Sequence, residues 1–201
     1  KEMIYPDQFI PVLEKNGYVI DVDNFIWNKV CACIKMMEDK GIEPVPISVN
    51  VSRMHVYQEK FTENLKNMAG EYGIDPKYIP LEITESAFTK EEGSLFKKVQ
   101  SLQGYGFKFS MDDFGSGYSS LGMLKSERVD EVKIDKTFVD DIATDKGKVL
   151  LGNVIRMINE LGIDMIAEGV ETKEQADFLK ENGCMYAQGY YYYKPMRSEE
   201  H

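Results

Sequence analysis

Basic residues are scarce relative to acids in this chain: 24 Lys and Arg stand against 34 Asp and Glu, a formal net charge of -10 at pH 7. Loose binding of DNA or RNA through phosphates needs a basic surface and is excluded; an anionic phosphate substrate would have to be brought in by bound cations. No apolar run approaches the roughly 20 residues of a membrane span, and no signal-peptide pattern opens the chain. Cysteine is sparse and odd in number. Cys31 and Cys33 stand two apart in a helical run, facing different directions, and Cys184 is distant. A disulfide or zinc framework is therefore not indicated, and the three read as small buried hydrophobes. Reduced thiols fit a cytoplasmic domain, with or without a membrane tether elsewhere in the protein. Neither GxGxxG nor GxxxxGK[ST] occurs, which removes the commonest phosphate loops. No low-complexity linker divides the chain, so residues 1–201 read as one domain.

The chain is 43% hydrophobic and 29% charged, which suits a globular domain with a substantial core. Short β-rich runs alternate with longer amphipathic ones. Strands are predicted over 46–52, 79–86, 107–115, 131–135, 164–170 and 186–193. From Lys146 to Leu161, the residues Leu150, Leu151, Val154, Ile155, Ile158 and Leu161 recur at helical spacing. In "TKEQADFLKENG", Thr172 and Gln175 are placed for a capping box and Gly183 to end the helix. Strands alternating with helices imply a parallel sheet covered by helices, either an open doubly wound sheet or a closed barrel.

Polar residues gather at the strand ends. Asn50 ends the first, Glu82 and Glu85 the second, Asp112 and Asp113 the third; Lys133 and Asp135 end the fourth, Glu168 the fifth, and Gln188 lies in the sixth. In a parallel barrel these ends converge on one mouth. Carboxylates and an amide oxygen, with no His or Cys among them, favour magnesium or manganese over zinc or copper. Adjacent carboxylates repel unless protons, cations or water relieve them. Asp112 and Asp113 could simply be a solvated strand end. Alongside the other strand-end acids, they suit serving two ions, one carboxylate bridging both, as in two-metal hydrolysis of phosphodiesters. Lys133 amid these acids suits holding a water rather than deprotonating it, unless it is an ordinary salt-bridge partner.

Taken in order, "FIPVLEKNGYVI", "SVNVS", "LEITES", "MDDFGSGYSSL", "VKID", "AEGVE" and "QGYYYYKP" resemble the successive motifs of the EAL domain, which hydrolyses the bacterial second messenger cyclic di-GMP. The resemblance runs from Tyr5 to Met196. It implies an α/β fold, a TIM-like (β/α) barrel with one antiparallel strand in the complete domain. It implies metal ligation by Asn50, Glu82, Asp112, Asp113 and Glu168; the oxygen donors favour two Mg2+ or Mn2+ ions, and Ca2+, with longer bonds and more ligands, is expected to bind but inhibit. Lys133 matches the lysine that contacts the nucleophilic water, which with Asp113 and Glu168 forms the catalytic group. Glu85 matches the glutamate anchoring the loop "DFGSGYSSL", which in the family couples dimerisation to metal and substrate binding; Asp135 and Gln188 match residues lining the site. A homodimer and a linked upstream sensor or GGDEF-type domain are the partners implied. The family's Glu-Ala-Leu triplet, whose glutamate is a ligand, and a following phosphate-binding arginine belong just before "MIYPDQFIP" and are not in these residues. The chain, which opens on Lys1, is therefore expected to be N-terminally truncated, because a barrel short of two strands exposes unpaired edges.

Other local signals are weaker. "DFG" occurs in protein kinases, but neither a glycine-rich loop nor H-R-D accompanies it. His55 lies in a helical run past the first strand, where a surface or packing role is expected. Tyr190 to Tyr193 could stack a guanine base; alternation along a strand would put about half on either face, so packing is expected for most. The 11 methionines show no heptad and read as core filler. The leading function is a phosphodiesterase producing linear pGpG. The alternative is a catalytically silent receptor for the same dinucleotide. The residues alone also leave open a different metal-using barrel hydrolase or an enolase-like enzyme.

Overall fold

The computed structural model describes residues 4–85, 87, 92–115, 124 and 129–196. The chain divides into two compact units, Lys1–Ile83 with Ala87–Phe109, and Thr84–Ser86 with Ser110–His201.

The first unit begins with α1 (Pro6–Asn16) and α2 (Val19–Asp39), separated at Gly17, whose φ of 82° stops α1. α2 buries Val19, Asp23, Trp27, Cys31 and Ile34. Steps of three and four residues make this one helical stripe, and its second member is a carboxylate. β1 (Val49–Asn50) runs parallel to β2 (Leu81–Thr84), with Val49 opposite Leu81 and Asn50 opposite Glu82. Between them lie α3 (Arg53–Val56) and α4 (Phe61–Tyr72), and α5 (Glu92–Gln103) follows β2. Trp27, Ile34, Phe61, Leu65, Leu81, Leu95 and Leu102 form the core. Leu81, Glu82 and Ile83 are buried in succession. A strand covered on both faces is ordinarily apolar throughout, so the carboxylate of Glu82 is the exception that needs a reason.

The second unit holds β3 (Phe109–Phe114, from Ser110 on), β4 (Glu131–Ile134), β5 (Asp164–Ala167) and β6 (Tyr186–Ala187), paired in parallel in that order. Parallel neighbours need crossover connections. These are supplied by α6 (Lys136–Asp140) and α7 (Asp145–Glu160) before β5, and by α8 (Lys173–Glu181) before β6. The expected capping box is present: Gln175 N–H donates to Thr172 Oγ1 at 3.2 Å, and Thr172 N–H to Gln175 Oε1 at 3.0 Å. Gly183, with φ of 92°, follows the end of α8. On α7 the buried stripe is Leu151, Ile155 and Ile158, narrower than expected, since Leu150 and Leu161 are exposed.

The sixth strand departs most from expectation. It stops at Ala187, and the chain then turns: Tyr191 N–H donates to Val170 C=O at 2.9 Å, while Tyr192 and Tyr193 N–H donate to Gly189 C=O. Gly189 lies flat on the Val170 backbone, where a Cβ would come within 2.2 Å of a carbonyl oxygen. That close approach overrides the strand propensity of four tyrosines. Tyr190 to Tyr193 are 42% to 76% exposed and do not pack as strand residues would. Among the described residues, no helix is long and apolar enough to cross a membrane.

Candidate metal and active site

Successive side chains of a regular strand point to opposite faces, so Asp112 and Asp113 should not meet. β3 breaks the alternation. Met111 pairs with Val132 and Phe114 with Ile134, so β3 carries one residue more than β4 over the same step. The extra residue is taken up as a bulge, which re-aims side chains. Asp113 there has φ of 57°, and it is the one non-glycine residue with positive φ among the described residues. Aspartate tolerates this left-handed region better than most residues. Carboxylate oxygens of Asp112, Asp113 and Glu168 consequently lie within 4.8 Å of one another.

Lys133 alternates on β4 with the buried Val132 and Ile134 and is itself buried. Its Nζ is 2.6 Å from Glu168 Oε1 and 3.3 Å from Asp112 Oδ1. The second contact is an ion pair by distance without hydrogen-bond geometry: Asp112 Oδ1 is buried and accepts no hydrogen bond. Glu168 follows β5, its N–H bonded to Ile134 C=O at 3.0 Å, and Gln188 Nε2 donates to its Oε1 at 2.5 Å. Burial above all pushes the Asp113 carboxyl upward; the Asp112 and Asp135 charges add to this, Lys133 opposes it, and Glu85 contributes least.

Asp135 caps α6, accepting from Thr137 N–H at 2.9 Å. Glu85 is buried and accepts from Gly115 N–H at 3.3 Å. Gly115 has φ of 96°, and a Cβ there would lie 1.8 Å from the Phe138 ring. The base of the "DFGSGYSSL" segment is thus held by Glu85; its residues 116–121 lie outside the described residues. In the first unit, Asn50 and Glu82 face each other across β1 and β2, the first exposed and the second buried.

An all-oxygen set with a buried carboxylate oxygen left without a hydrogen bond fits a hard divalent cation such as magnesium or manganese. The structure brings together Asp112, Asp113, Lys133, Glu168 and Gln188, and pairs Asn50 with Glu82. Sequence reasoning missed Asp23 and Trp27, which are buried with His55 beside the end of β1. The signal was available: Asp23 occupies a position of the α2 stripe where an apolar residue is expected.

The EAL domain family model matches residues 1–195. The chain is 35% identical over 196 residues to "Oxygen sensor protein DosP" of Escherichia coli (strain K12), covering 97% of this chain and 24% of that protein. It is 34% identical over 194 residues to "Probable cyclic di-GMP phosphodiesterase PdeG" of the same organism, covering 96% and 38%. It therefore spans well under half the length of either relative. The solved structure "PaMucR Phosphodiesterase, c-di-GMP complex" matches with a TM-score of 0.91 at 30% identity, over 98% of this chain and 80% of that one. An EAL domain protein from Listeria monocytogenes EGD-e matches with a TM-score of 0.83 at 30% identity, over 98% and 77%. The expected α/β fold of the EAL type is the observed one.

Proposed function

This chain belongs to the EAL domain family, and on that premise we propose that it is a metal-dependent phosphodiesterase opening cyclic di-GMP to linear pGpG. The observation that carries the reading is the meeting of three carboxylates around Lys133, with Asp112 Oδ1 buried and without a hydrogen bond. Relatives named as cyclic di-GMP phosphodiesterases supply the substrate class.

Asn50, Glu82, Asp112, Asp113 and Glu168 are the proposed ligands of two magnesium or manganese ions. Such ions neutralise phosphate charge and lower the pKa of water at neutral pH. Lys133, held by Glu168 and Asp112, donates a hydrogen bond to the attacking water and orients it toward phosphorus. Gln188 fixes the Glu168 carboxylate, and Glu85 fixes the turn after Asp113 through Gly115. Asp135 lines the same end of β4. The reading extends to a homodimer in the cytoplasm, where the thiols of Cys31, Cys33 and Cys184 stay reduced. A linked sensor or GGDEF-type domain belongs to it as well, in keeping with the greater length of DosP and its name.

The test is product analysis after incubation with cyclic di-GMP and Mn2+, by chromatography. pGpG should accumulate with the full-length protein and not with its Asp112→Asn variant. Binding of the dinucleotide without any product would assign the receptor function instead.

A further inference from the structure

β1 is only two residues long; its ladder to β2 ends at Val51 N–H, and the Asn50 carbonyl on the other side of that peptide needs a partner from elsewhere. The missing constraint comes from the side chains of α2. Trp27 Nε1–H donates to Asn50 C=O at 3.0 Å, and Val51 N–H donates to Glu82 C=O at 2.9 Å. These two groups are the opposite ends of one peptide plane. The next plane is fixed as well, because Ser52 N–H donates to Asp23 Oδ2 at 3.2 Å. The same oxygen takes His55 Nε2 at 3.1 Å.

The cluster is buried and closely packed. Asp23, Trp27 and His55 are all buried, while the side chain of Asn50 between the two fixed strands' ends is exposed. The His55 ring lies 4.5 Å from that of Trp27 and 5.6 Å from that of Phe61, centre to centre. His55 N–H also bonds to Ser52 C=O at 3.0 Å, closing the corner. Packing alone would be served by apolar residues at 23 and 55, since a buried polar pair gains little over shape-matched hydrophobes. What the polar pair adds is direction.

We propose that Asp23, Trp27 and His55 are positioning residues that set the direction of the Asn50 side chain for cation binding. Trp27 acts on the Asn50 carbonyl directly; Asp23, oriented by His55, acts through the Ser52 amide. The proposal rests on the reading of Asn50 as a ligand.

The test measures Mn2+ binding to chelator-stripped protein by titration calorimetry, without turnover. Trp27→Phe keeps a ring and removes the N–H; its Mn2+ affinity should fall roughly tenfold, as for other partners that orient a ligand. In an Asn50→Ala background the same substitution should have no further effect, because a residue acting through Asn50 has nothing left to act on. Asp23→Asn, scored the same way, is the second variant should Trp27→Phe not fold, with folding judged by circular dichroism. Losses that add in the double variant would assign the cluster a general structural role and overturn the proposal. So would full affinity in Trp27→Phe where Asn50→Ala is weakened, which leaves Asn50 as a ligand. Full affinity in Asn50→Ala would instead remove Asn50 from the ligands and the proposal with it. Loss of the fold in both variants would assign the cluster to the core and end the idea.

Discussion

Asp113 owes its place beside Asp112 to one backbone angle, and its raised proton affinity to what surrounds it. Because its carboxyl is pushed up, the folded state binds that proton more tightly than the unfolded chain does. Stability in the metal-free protein therefore falls as pH rises from the ordinary carboxylate pKa through the raised folded value. Asp113→Asn keeps a side chain that tolerates the left-handed angle and abolishes the titration. Its urea midpoint in chelator should drop less than that of the unsubstituted protein between about pH 4 and about pH 7; equal pH slopes would refute the origin given for the shift. Lys133 invites the complementary substitution. Lys133→Met should lower turnover on the order of 10²- to 10⁴-fold and lower the metal-free melting temperature, because Glu168 and Asp112 lose the ammonium between them. Added Mn2+ should restore most of the melting temperature but not the turnover, and a metal-free melting temperature equal to the parent's would contradict this. The sequence made the acid pair conspicuous through its composition. It could not disclose the bulge, since an extra residue in one strand is decided by pairing with its neighbour, which local residue types do not encode.

At the scale of elements, legibility followed the range of the forces. The capping box of α8 is a local device, four residues long, and was readable from Thr172 and Gln175 alone. The narrow stripe of α7 and the early end of β6 were not, because each depends on which neighbour arrives: Leu150 meets no cover, and Gly189 meets the Val170 backbone. The turn at Gly115 belongs with these. Its glycine reads as flexibility in the sequence, yet in the structure it is a close fit under Phe138. Gly115→Ala should destabilise by more than about 1 kcal/mol, through both the positive φ and the clash. It should also weaken Mn2+ binding by disturbing the Glu85 anchor. Adding Phe138→Ala removes the clash but not the backbone strain, so thermal unfolding of the double variant should show partial recovery. A melting curve unchanged by Gly115→Ala would refute both the clash and the backbone strain.

For the molecule as a whole, the order of motifs was the most legible property, since it spans nearly the entire chain and matches the EAL domain over residues 1–195. The donor chemistry leads to one expectation at this scale. Chelator-stripped protein should lose turnover and regain it with magnesium or manganese. Calcium, with longer bonds and a preference for more ligands, should support dinucleotide binding without pGpG release; equal turnover with calcium would exclude the assigned chemistry. Lys133 carries a further consequence, for how the protein is made. Its ammonium already lies between Glu168 and Asp112, so those two acids share a counter-charge before any ion arrives. A zinc finger, by contrast, stays unfolded until its metal arrives. On the proposed ligand set, a newly synthesised chain is expected to reach its native state in a cell starved of divalent ions and to take up metal afterwards, with no refolding step. Protein expressed in metal-depleted medium should accordingly be folded by circular dichroism, inactive as isolated, and active within the mixing time of added Mn2+.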